Sequence, residues 1–262
     1  EIKGNLAHSE LQKLCTANIK NEIGKSTYTQ MLNETGGIET DLTVICIDKD
    51  YFRIISSAAT RTHDKVHILK NLSKDLDFKD VTDDYACLGI FGPKSRDLLS
   101  KLSNDDFSKE TFKFGDGKSS NINSKKVWIQ RLSYVGELGY EIYSKIEDAK
   151  SIYNLIIEEG EKFKLSLCGS HAMDVMRMES GFLHWGHDIS PEENQFEAGL
   201  NFAISFKKDA NFIGKEQLTK YKDKKPKKRF IMLSLKNNNP GQPLLLHEEP
   251  IYLDDKIIGR TT

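Results

Sequence analysis

Two carboxylates stand out in this sequence because each lies beside an apolar segment. Asp41 follows the turn-forming pair Gly36-Gly37 and directly precedes the apolar, β-branched run 42–47. Glu141 lies among the apolar residues of the segment 139–143. Because a carboxylate in apolar surroundings is costly unless it has a partner, each is a candidate site residue. The alternatives are an ordinary turn aspartate that bonds the local backbone and a partly exposed glutamate in a hairpin.

An arginine and two histidines complete the set of polar candidates. Arg177 lies three residues after Asp174 on a predicted helix, where the two can form an i,i+3 ion pair that contributes little at a surface. His184 and His187 form a His-x-x-His pair, but no third ligand follows at a recognisable spacing. The four cysteines are scattered and contain no Cys-x-x-Cys pair. We therefore predict neither a metal site nor a disulfide framework.

The element predicted to position Asp41 is an antiparallel meander of three strands. Three runs rich in apolar or β-branched residues are separated by turn-forming residues. The predicted strands are 28–32, 42–47 and 51–56. A helix from about residue 60 to 72 follows, with Val66, Leu69 and Leu72 at helical spacing and Ile68 beside them.

The second carboxylate lies in a similar mixture of strands and helices. A strand is predicted at 84–91, and a helix begins after Gly92-Pro93, because proline is tolerated in the first helical turn. Residues 116–123 are predicted to form a loop or the tip of a hairpin. The other predicted elements are a strand pair around the turn 136–139, helices at 147–159 and 170–181, and a short strand at 165–167.

Strands and helices recur throughout this part of the chain, so the predicted fold class is α+β. The first helix is expected to begin at a capping box, in which Ser9 is the cap and Gln12 lies three residues later. That helix is predicted to continue through Leu14 and Cys15.

The C-terminal part has a different composition. A basic, linker-like run begins at Lys224, and such runs are most often solvated. Beyond it only strand signals occur, at 230–235 and 251–258, with a turn predicted at Pro240-Gly241. We therefore divide the chain into an α+β region and the start of an all-β unit, at residues 1–223 and 224–262. We expect the chain to be truncated at both ends, because it opens without Met and closes directly after a strand signal.

The overall composition excludes several classes of protein. The chain has 262 residues, of which 38% are hydrophobic and 29% charged, and its net charge is -1. This length allows a sizeable core, while the balanced charge gives no electrostatic case for binding nucleic acid. No apolar run approaches the length of a membrane span, and no secretory signal opens the chain. The expected location is therefore the cytoplasm, or the mitochondrial matrix if the source is eukaryotic.

Four motifs, taken in chain order, form a recognisable set. They are Gly-Gly-Ile-x-x-Asp-Leu at 36–42, Ser-Tyr-Val-Gly-Glu-Leu-Gly-Tyr-Glu at 133–141, the helix segment 174–181 and the loop 182–200. Together they resemble the aminomethyltransferase family, which includes the glycine-cleavage T-protein and relatives that bind tetrahydrofolate. The run 28–44 and Trp-Gly-His-Asp at 185–188 are similar to one branch, the folate-binding C-terminal half of flavin-dependent dimethylglycine and sarcosine dehydrogenases.

The resemblance implies a three-lobed fold that ends in a partial C-terminal β-barrel, with a folate pocket between the lobes. It places Asp41 on the family's catalytic aspartate. It places Glu141 where a carboxylate accepts the amino group and ring N–H of the pterin as a fork. Tyr134 would stack on the ring or cap the pocket, or keep its hydroxyl bonded locally. Arg177 matches a folate-contacting arginine and would pair with an acidic residue or meet a carboxylate of the folate tail.

The resemblance also implies an activity, which is tetrahydrofolate-dependent transfer of a one-carbon unit to give 5,10-methylene-tetrahydrofolate. The carbon would come from an iminium that a flavin domain makes from an N-methyl amine. No Gly-x-Gly-x-x-Gly follows a strand here, so FAD would belong to an upstream domain absent from this chain. The alternatives are a stand-alone aminomethyltransferase and a non-catalytic, regulatory relative. Ser57-Ala58 departs from the Asn-Ala of many T-proteins, which puts one pterin contact in doubt.

Overall fold

The computed structural model describes residues 1–236, 239 and 241–262. Pro240, which the sequence predicts to lie in a turn, is outside the described residues. The predicted α+β class is confirmed, since two antiparallel sheets each pack helices against one face. Among these residues, no helix has both the length and the apolar character needed to cross a bilayer.

The first lobe contains five strands and two helices. They are β1 (Ile2–Lys3), α1 (Ala7–Leu14), β2 (Ser26–Leu32), β3 (Ile38–Asp48), β4 (Tyr51–Ser56), α2 (Arg61–Asn71) and β5 (Asp77–Phe78). The strands form one antiparallel sheet in the order β2-β3-β4-β1-β5. The predicted meander is confirmed as β2, β3 and β4.

The alternation of side chains along β3 separates its two faces. Leu42 and Val44 pack with Leu11 of α1 in the core of the first lobe. Successive side chains of a strand point to opposite faces, so Asp41 and Thr43 lie on the other side of the sheet. The carboxylate is therefore directed away from the helices of its own lobe.

Two details of the helices differ from the prediction. The capping box is wrong because α1 begins before Ser9, whose hydroxyl donates to the Leu6 carbonyl at 2.9 Å, as serines inside helices often do. On α2, Ile68 is buried in the core, whereas Val66 and Leu69 are 61% and 47% exposed. The predicted helix exists, but the sheet packs against a face that carries Ile68.

The second lobe repeats the arrangement of a sheet covered by helices. It contains β6 (Tyr85–Phe91), α3 (Ser95–Leu102), β7 (Gly117–Ile122), β8 (Lys125–Gln130), β9 (Gly139–Lys145) and α4 (Ile146–Gly160). The strands form an antiparallel sheet in the order β6-β9-β8-β7. Tyr140 and Ile142 of β9 pack with Leu99 and Ile152 in the core of this lobe.

The prediction of a loop or hairpin tip at 116–123 is wrong for all but the ends of this segment. Most of this segment is β7, which pairs with β8 across a tight turn. Asn123 and Ser124 in that turn have φ of 46° and 65°, a conformation that asparagine and serine adopt more readily than β-branched residues. Polar residues on an edge strand resemble a loop in sequence, and only the pairing with β8 distinguishes the two.

The third part of the fold contains α5 (Ser170–Glu179), a long irregular segment and α6 (Lys215–Thr219). Its core joins this segment to the first lobe, since Leu183, Ile189 and Phe212 pack with Leu32 and Ile38. The short strand predicted at 165–167 is wrong. Those residues are irregular, and the Leu165 N–H donates to the Gly160 carbonyl at the end of α4.

Of the two strand regions predicted in the C-terminal segment, one is confirmed. Residues 250–260 form a hairpin of β10 (Pro250–Leu253) and β11 (Lys256–Arg260), whereas 230–235 are not strand. The Phe230 N–H instead donates to the Glu197 carbonyl at 2.8 Å, and its ring packs on the third core. The basic run thus leads into contact with the main body, while the division of the chain at 224 stays a prediction.

Candidate functional site

The two sheets face each other across the surface that carries Asp41. Arg53 pairs with Ile45 in the register of β4 and β3, so it shares the Asp41 face of the first sheet. Its guanidinium lies 5.9 Å from the centre of the Tyr143 ring on β9. Tyr143 is two residues after Glu141 and shares its face. The sheet face of Asp41 therefore meets the sheet face of Glu141.

A cavity of about 230 Å³ lies between these two faces. Its walls include Arg53, Ser57 and Asp64 from the first lobe and Cys87 and Tyr143 from the second. Most small-molecule sites are concave spaces in which a few polar groups converge among apolar walls. Neither Asp41 nor Glu141 lines this cavity, although Tyr143 in its wall bonds to Glu141. The candidate binding site is therefore the pair of facing sheet surfaces, of which this cavity is one part.

The Asp41 carboxylate is held by the strand next to it. Gln30 lies opposite Asp41 in the register of β2 and β3, and its Nε2 donates to Asp41 Oδ1 at 2.7 Å. Burial raises the pKa of Asp41 to about 6, against the opposing effect of hydrogen bonds from Gln30 and Tyr28. The nearby Asp64 carboxylate raises the Asp41 pKa further. A carboxyl group with this pKa can take up and release a proton near neutral pH.

Tyr28 is a site residue that the sequence analysis missed. Its hydroxyl lies beside the Asp41 carboxylate, and burial followed by that negative charge raises the Tyr28 pKa. Its ring stacks on Phe202 at 6.1 Å between centres. The two-residue period of strands could have indicated Tyr28 from the sequence. Tyr28 and Gln30 on β2 lie on the same face of the sheet as Asp41 on β3.

Tyr134 lies between Asp41 and the third part of the fold. Its hydroxyl donates to the Leu183 carbonyl at 2.9 Å, and its ring stacks on Phe182 at 6.3 Å. Burial raises the pKa of Tyr134 to about 12, and the Asp41 charge contributes to that rise. Of the two predicted arrangements, the structure has the hydroxyl bonded to the protein, with the ring against Phe182.

Arg177 is buried and paired within the protein. It is 2% exposed, its Nε donates to Asp174 at 2.7 Å, and its Nη1 forms an ion pair with Asp188. The same Nη1 donates to the Phe182 carbonyl at 3.2 Å. Of the two predicted arrangements, pairing with acidic residues is the one found, and it joins α5 to the loop that contacts Tyr134.

Glu141 forms a separate group on the second sheet. The Tyr143 hydroxyl donates to Glu141 Oε2, and burial raises the pKa of Glu141. The Glu141 charge in turn raises the pKa of the Cys87 thiol, after the larger effect of burial. Within the described residues, no hydrogen bond or ion pair joins Glu141 to Asp41. The two carboxylates thus lie on the two sheet faces that meet at Arg53 and Tyr143.

The His-x-x-His pair lies on the loop that follows α5. The rings of His184 and His187 stack at 5.8 Å, and His187 Nδ1 lies 3.3 Å from Asp188. Among the described residues, no three His, Cys, Asp or Glu side chains are grouped to hold a metal ion. The expectation of a site without metal stays a prediction.

The sequence of the chain matches a known family over most of its length. A family model described as the GCVT N-terminal domain matches residues 1–208. The chain belongs to this family. An aminomethyltransferase of Listeria monocytogenes is 34% identical over 262 residues, which are all of this chain and 70% of that protein. The family predicted from the four motifs is therefore confirmed.

Larger relatives of this aminomethyltransferase-family chain carry other names. The 4-methylaminobutanoate oxidase (formaldehyde-forming) of Paenarthrobacter nicotinovorans is 35% identical over the whole chain, and human mitochondrial dimethylglycine dehydrogenase is 32% identical over 94% of it. The chain spans only 32% and 28% of those two proteins. The aminomethyltransferase T of the Bartonella henselae glycine cleavage system has the same fold, with a TM-score of 0.71 at 22% identity over 84% of the chain.

Proposed function

We propose that this chain binds tetrahydrofolate between its two sheets and catalyses one-carbon transfer to it, forming 5,10-methylene-tetrahydrofolate. The observation that carries the proposal is the placement of Asp41 and Glu141 on facing sheet surfaces, each with a pKa raised by burial. One carboxylate is available to bind the donor edge of a pterin, and the other to exchange a proton with a reacting nitrogen. Membership of the aminomethyltransferase family supports both roles.

Glu141 is proposed to bind the pterin ring. An ionised carboxylate can accept the exocyclic amino group and the neighbouring ring N–H together, in a two-bond fork. Its partly desolvated position strengthens such bonds, because water competes less for the donors. In the structure Glu141 Oε2 accepts the Tyr143 hydroxyl, and this contact holds the carboxylate in place on β9.

Asp41 is proposed to act as the general base. When bound, the folate supplies the nitrogen N5, which forms the new bond to the iminium carbon and must lose a proton. The Asp41 carboxylate would accept that proton and, before that, stabilise the positive charge that develops on the nitrogen. The folate N10 would then bond to the same carbon as the bond from that carbon to the amine nitrogen breaks. The protons lost from N5 and N10 would both leave on the departing amine, so Asp41 would end the reaction ionised. Gln30 and the β3 backbone fix the direction of the carboxylate.

Tyr134 and Arg177 are proposed to shape the same site. Tyr134 is close enough to Asp41 for that charge to affect its pKa, and its ring could cap or stack on a bound ring there. Arg177 holds the loop that receives the Tyr134 hydroxyl, through Asp188 and the Phe182 carbonyl. We therefore propose that Tyr134 contacts the folate, while Arg177 contributes mainly by fixing this loop.

The whole protein is proposed to be a flavin-dependent N-methyl amine dehydrogenase of the dimethylglycine or sarcosine type. Two relatives are named as an oxidase and a dehydrogenase of methylated amines, and the chain spans under a third of each. An upstream domain would hold FAD and oxidise the amine to the iminium in the cytoplasm or the mitochondrial matrix. Keeping the iminium near the folate would make a bimolecular step nearly unimolecular.

The test is a calorimetric titration of the protein with tetrahydrofolate, followed by an assay for methylene-folate formation. Saturable binding and a folate product are expected. An absence of binding would overturn the proposal. The second candidate, a stand-alone aminomethyltransferase, is favoured by the 70% coverage of the Listeria protein. Flavin in the intact protein would exclude that candidate, and folate binding without carbon transfer would indicate a non-catalytic relative.

A further inference from the structure

A chain of buried amide side chains lies behind Asp41. Gln30 donates through Nε2 to Asp41 Oδ1 at 2.7 Å, and its Oε1 accepts a hydrogen bond from Gln195 Nε2. Gln195 Nε2 also lies 3.0 Å from Thr16 Oγ1. Gln30 and Gln195 are both 0% exposed. The two glutamines thus connect the candidate base to a loop from a remote part of the sequence.

The orientation of both amides follows from the fixed end of this chain. The Ala203 carbonyl can only accept, so the Thr16 hydroxyl donates its hydrogen there, at 3.0 Å. The same hydroxyl must then accept from Gln195, which directs the Gln195 NH₂ group toward Thr16 and Gln30. Gln30 therefore presents its oxygen to Gln195 and its NH₂ group to Asp41.

The observed orientation of the Gln195 amide leaves one buried acceptor, its own Oε1 atom, without a partner among the described residues. Leaving a buried acceptor unpaired is costly, and turning the amide over would present this oxygen to Gln30. Gln30 would then have to turn as well and place its oxygen against the Asp41 carboxylate. The unpaired oxygen is thus consistent with an amide chain that is ordered toward Asp41.

We propose that Gln30 is a positioning residue for Asp41 and that Gln195 acts through it, keeping the carboxylate ionised and aimed for proton transfer. This inference rests on the proposed function, in which Asp41 is the base. The ionised carboxylate needs a donor here because the surroundings oppose its charge. Asp64 on α2 is a second carboxylate nearby, and Tyr134 lies close by on the loop before β9. The Tyr28 hydroxyl on β2 also lies near the carboxylate and favours its ionised form.

The first test replaces the amide of Gln30 with an apolar side chain of similar length. In Gln30→Met, the acid limb of the pH–rate profile for carbon transfer should move to higher pH by about one unit, because a donor to the ionised form is lost. The rate on the alkaline plateau and the affinity for tetrahydrofolate should change much less. An acid limb unchanged from wild type in a folded Gln30→Met protein would overturn the proposal.

The second test asks whether the two glutamines act through the same bond. Gln195→Met should move the acid limb in the same direction by a smaller amount, since Gln30 keeps its donor but loses its orientation. The double variant should shift no further than Gln30→Met alone, as expected of residues in one network. Additive shifts would show that Gln195 acts independently of Gln30 and would overturn its assigned role.

Thr40→Val is the matched control. Thr40 is the neighbour of Asp41, is 0% exposed, and has an Oγ1 atom without a hydrogen-bond partner among the described residues. Its side chain lies on the opposite face of β3. The substitution should leave the acid limb in place. A shift as large as that of Gln30→Met would mean that general loosening of the strand is responsible, which would overturn the proposal.

The pH titration of Asp41 can also be followed without turnover. The carboxyl resonance of ¹³C-labelled aspartate, assigned by its loss in Asp41→Asn, should titrate at higher pH in Gln30→Met than in wild type. This measurement requires no folate. If the Asp41 titration shifts but the protein does not bind folate, the positioning role of Gln30 stands and the proposed function is rejected. If the protein turns over folate but the titration does not shift, the proposed function stands and the positioning role is rejected.

Discussion

The Arg177 guanidinium and the Asp188 carboxylate form an ion pair in which each side chain is 3% exposed. The carboxylate also accepts the His184 backbone N–H at 2.8 Å, which holds the loop 182–188 on α5. Asp174 binds the same guanidinium at 2.7 Å, but its side chain is 45% exposed. One cation thus has a buried and an exposed partner, and their contributions to stability can be compared directly.

The buried partner should matter far more than the exposed one. Asp188→Asn leaves the Arg177 charge without its buried counter-ion and should lower the free energy of unfolding by about 3 kcal/mol. Asp174→Asn should lower it by less than about 1 kcal/mol, because exposed pairs are screened by water. Urea unfolding of the two variants measures the difference. Equal losses would show that burial does not determine the strength of this pair.

The contribution of Asp188 should also depend on pH. Burial acts to raise the pKa of Asp188, but the His184 N–H and the Arg177 charge outweigh it and hold that pKa below its usual value. A carboxyl group with a lowered pKa stabilises the fold above the unfolded-state pKa and loses this effect as the pH falls through the folded-state pKa. The gap in stability between wild type and Asp188→Asn should therefore be constant from pH 7 to about pH 5 and shrink below about pH 4.

Glu141→Ala should weaken the binding of tetrahydrofolate by about 1 kcal/mol or more, because it removes a charge-assisted pair of hydrogen bonds. Calorimetry with the intact protein measures the change. Glu137→Ala is the control, since Glu137 belongs to the same motif but is exposed. Equal affinities for wild type and Glu141→Ala would remove Glu141 from the site.

Asp41→Asn should slow carbon transfer by roughly a hundredfold or more while folate binding changes little, because it keeps the shape of the side chain and removes the base. In the intact protein, oxidation of the amine should continue and release formaldehyde in place of methylene-folate. The measurement is the ratio of the two products with tetrahydrofolate present. Delivery of the carbon at the wild-type rate would make Asp41 an ordinary strand residue.

Asp41 should also lower stability at neutral pH. Its pKa is about 6 in the folded protein, against about 3.8 for the unfolded chain, so the folded state binds more protons between these values. Stability should therefore fall as the pH rises from about 4 to about 6. Asp41→Asn should be more stable than wild type at pH 8, by at most about 3 kcal/mol, and should show no such gain at pH 4. Urea unfolding at both pH values is the test, and a gain of the same size at pH 4 would contradict it.

Local sequence patterns predicted the meander that carries Asp41 well. The predicted strand at 51–56 coincides with β4, because alternation and flanking turns are properties of neighbouring residues. The same rules failed for β7, whose polar sequence resembles a loop until β8 pairs with it. For α2 they were right about Leu72 and wrong about Val66 and Leu69, because the sheet packs against the face that carries Ile68 and Leu72.

The sequence by itself determined the family, through motifs at fixed spacing. It placed Asp41 just before a strand at 42–47, whereas β3 begins at Ile38 and includes Asp41. Only the tertiary structure decided the partners of the site residues. Gln195 lies 165 positions from Gln30 and reaches it because the loop after α5 packs against the first lobe. Arg177 had several possible partners in sequence, and the fold of one loop selected Asp188. Contacts between remote segments depend on how several elements pack together, and no local periodicity encodes them.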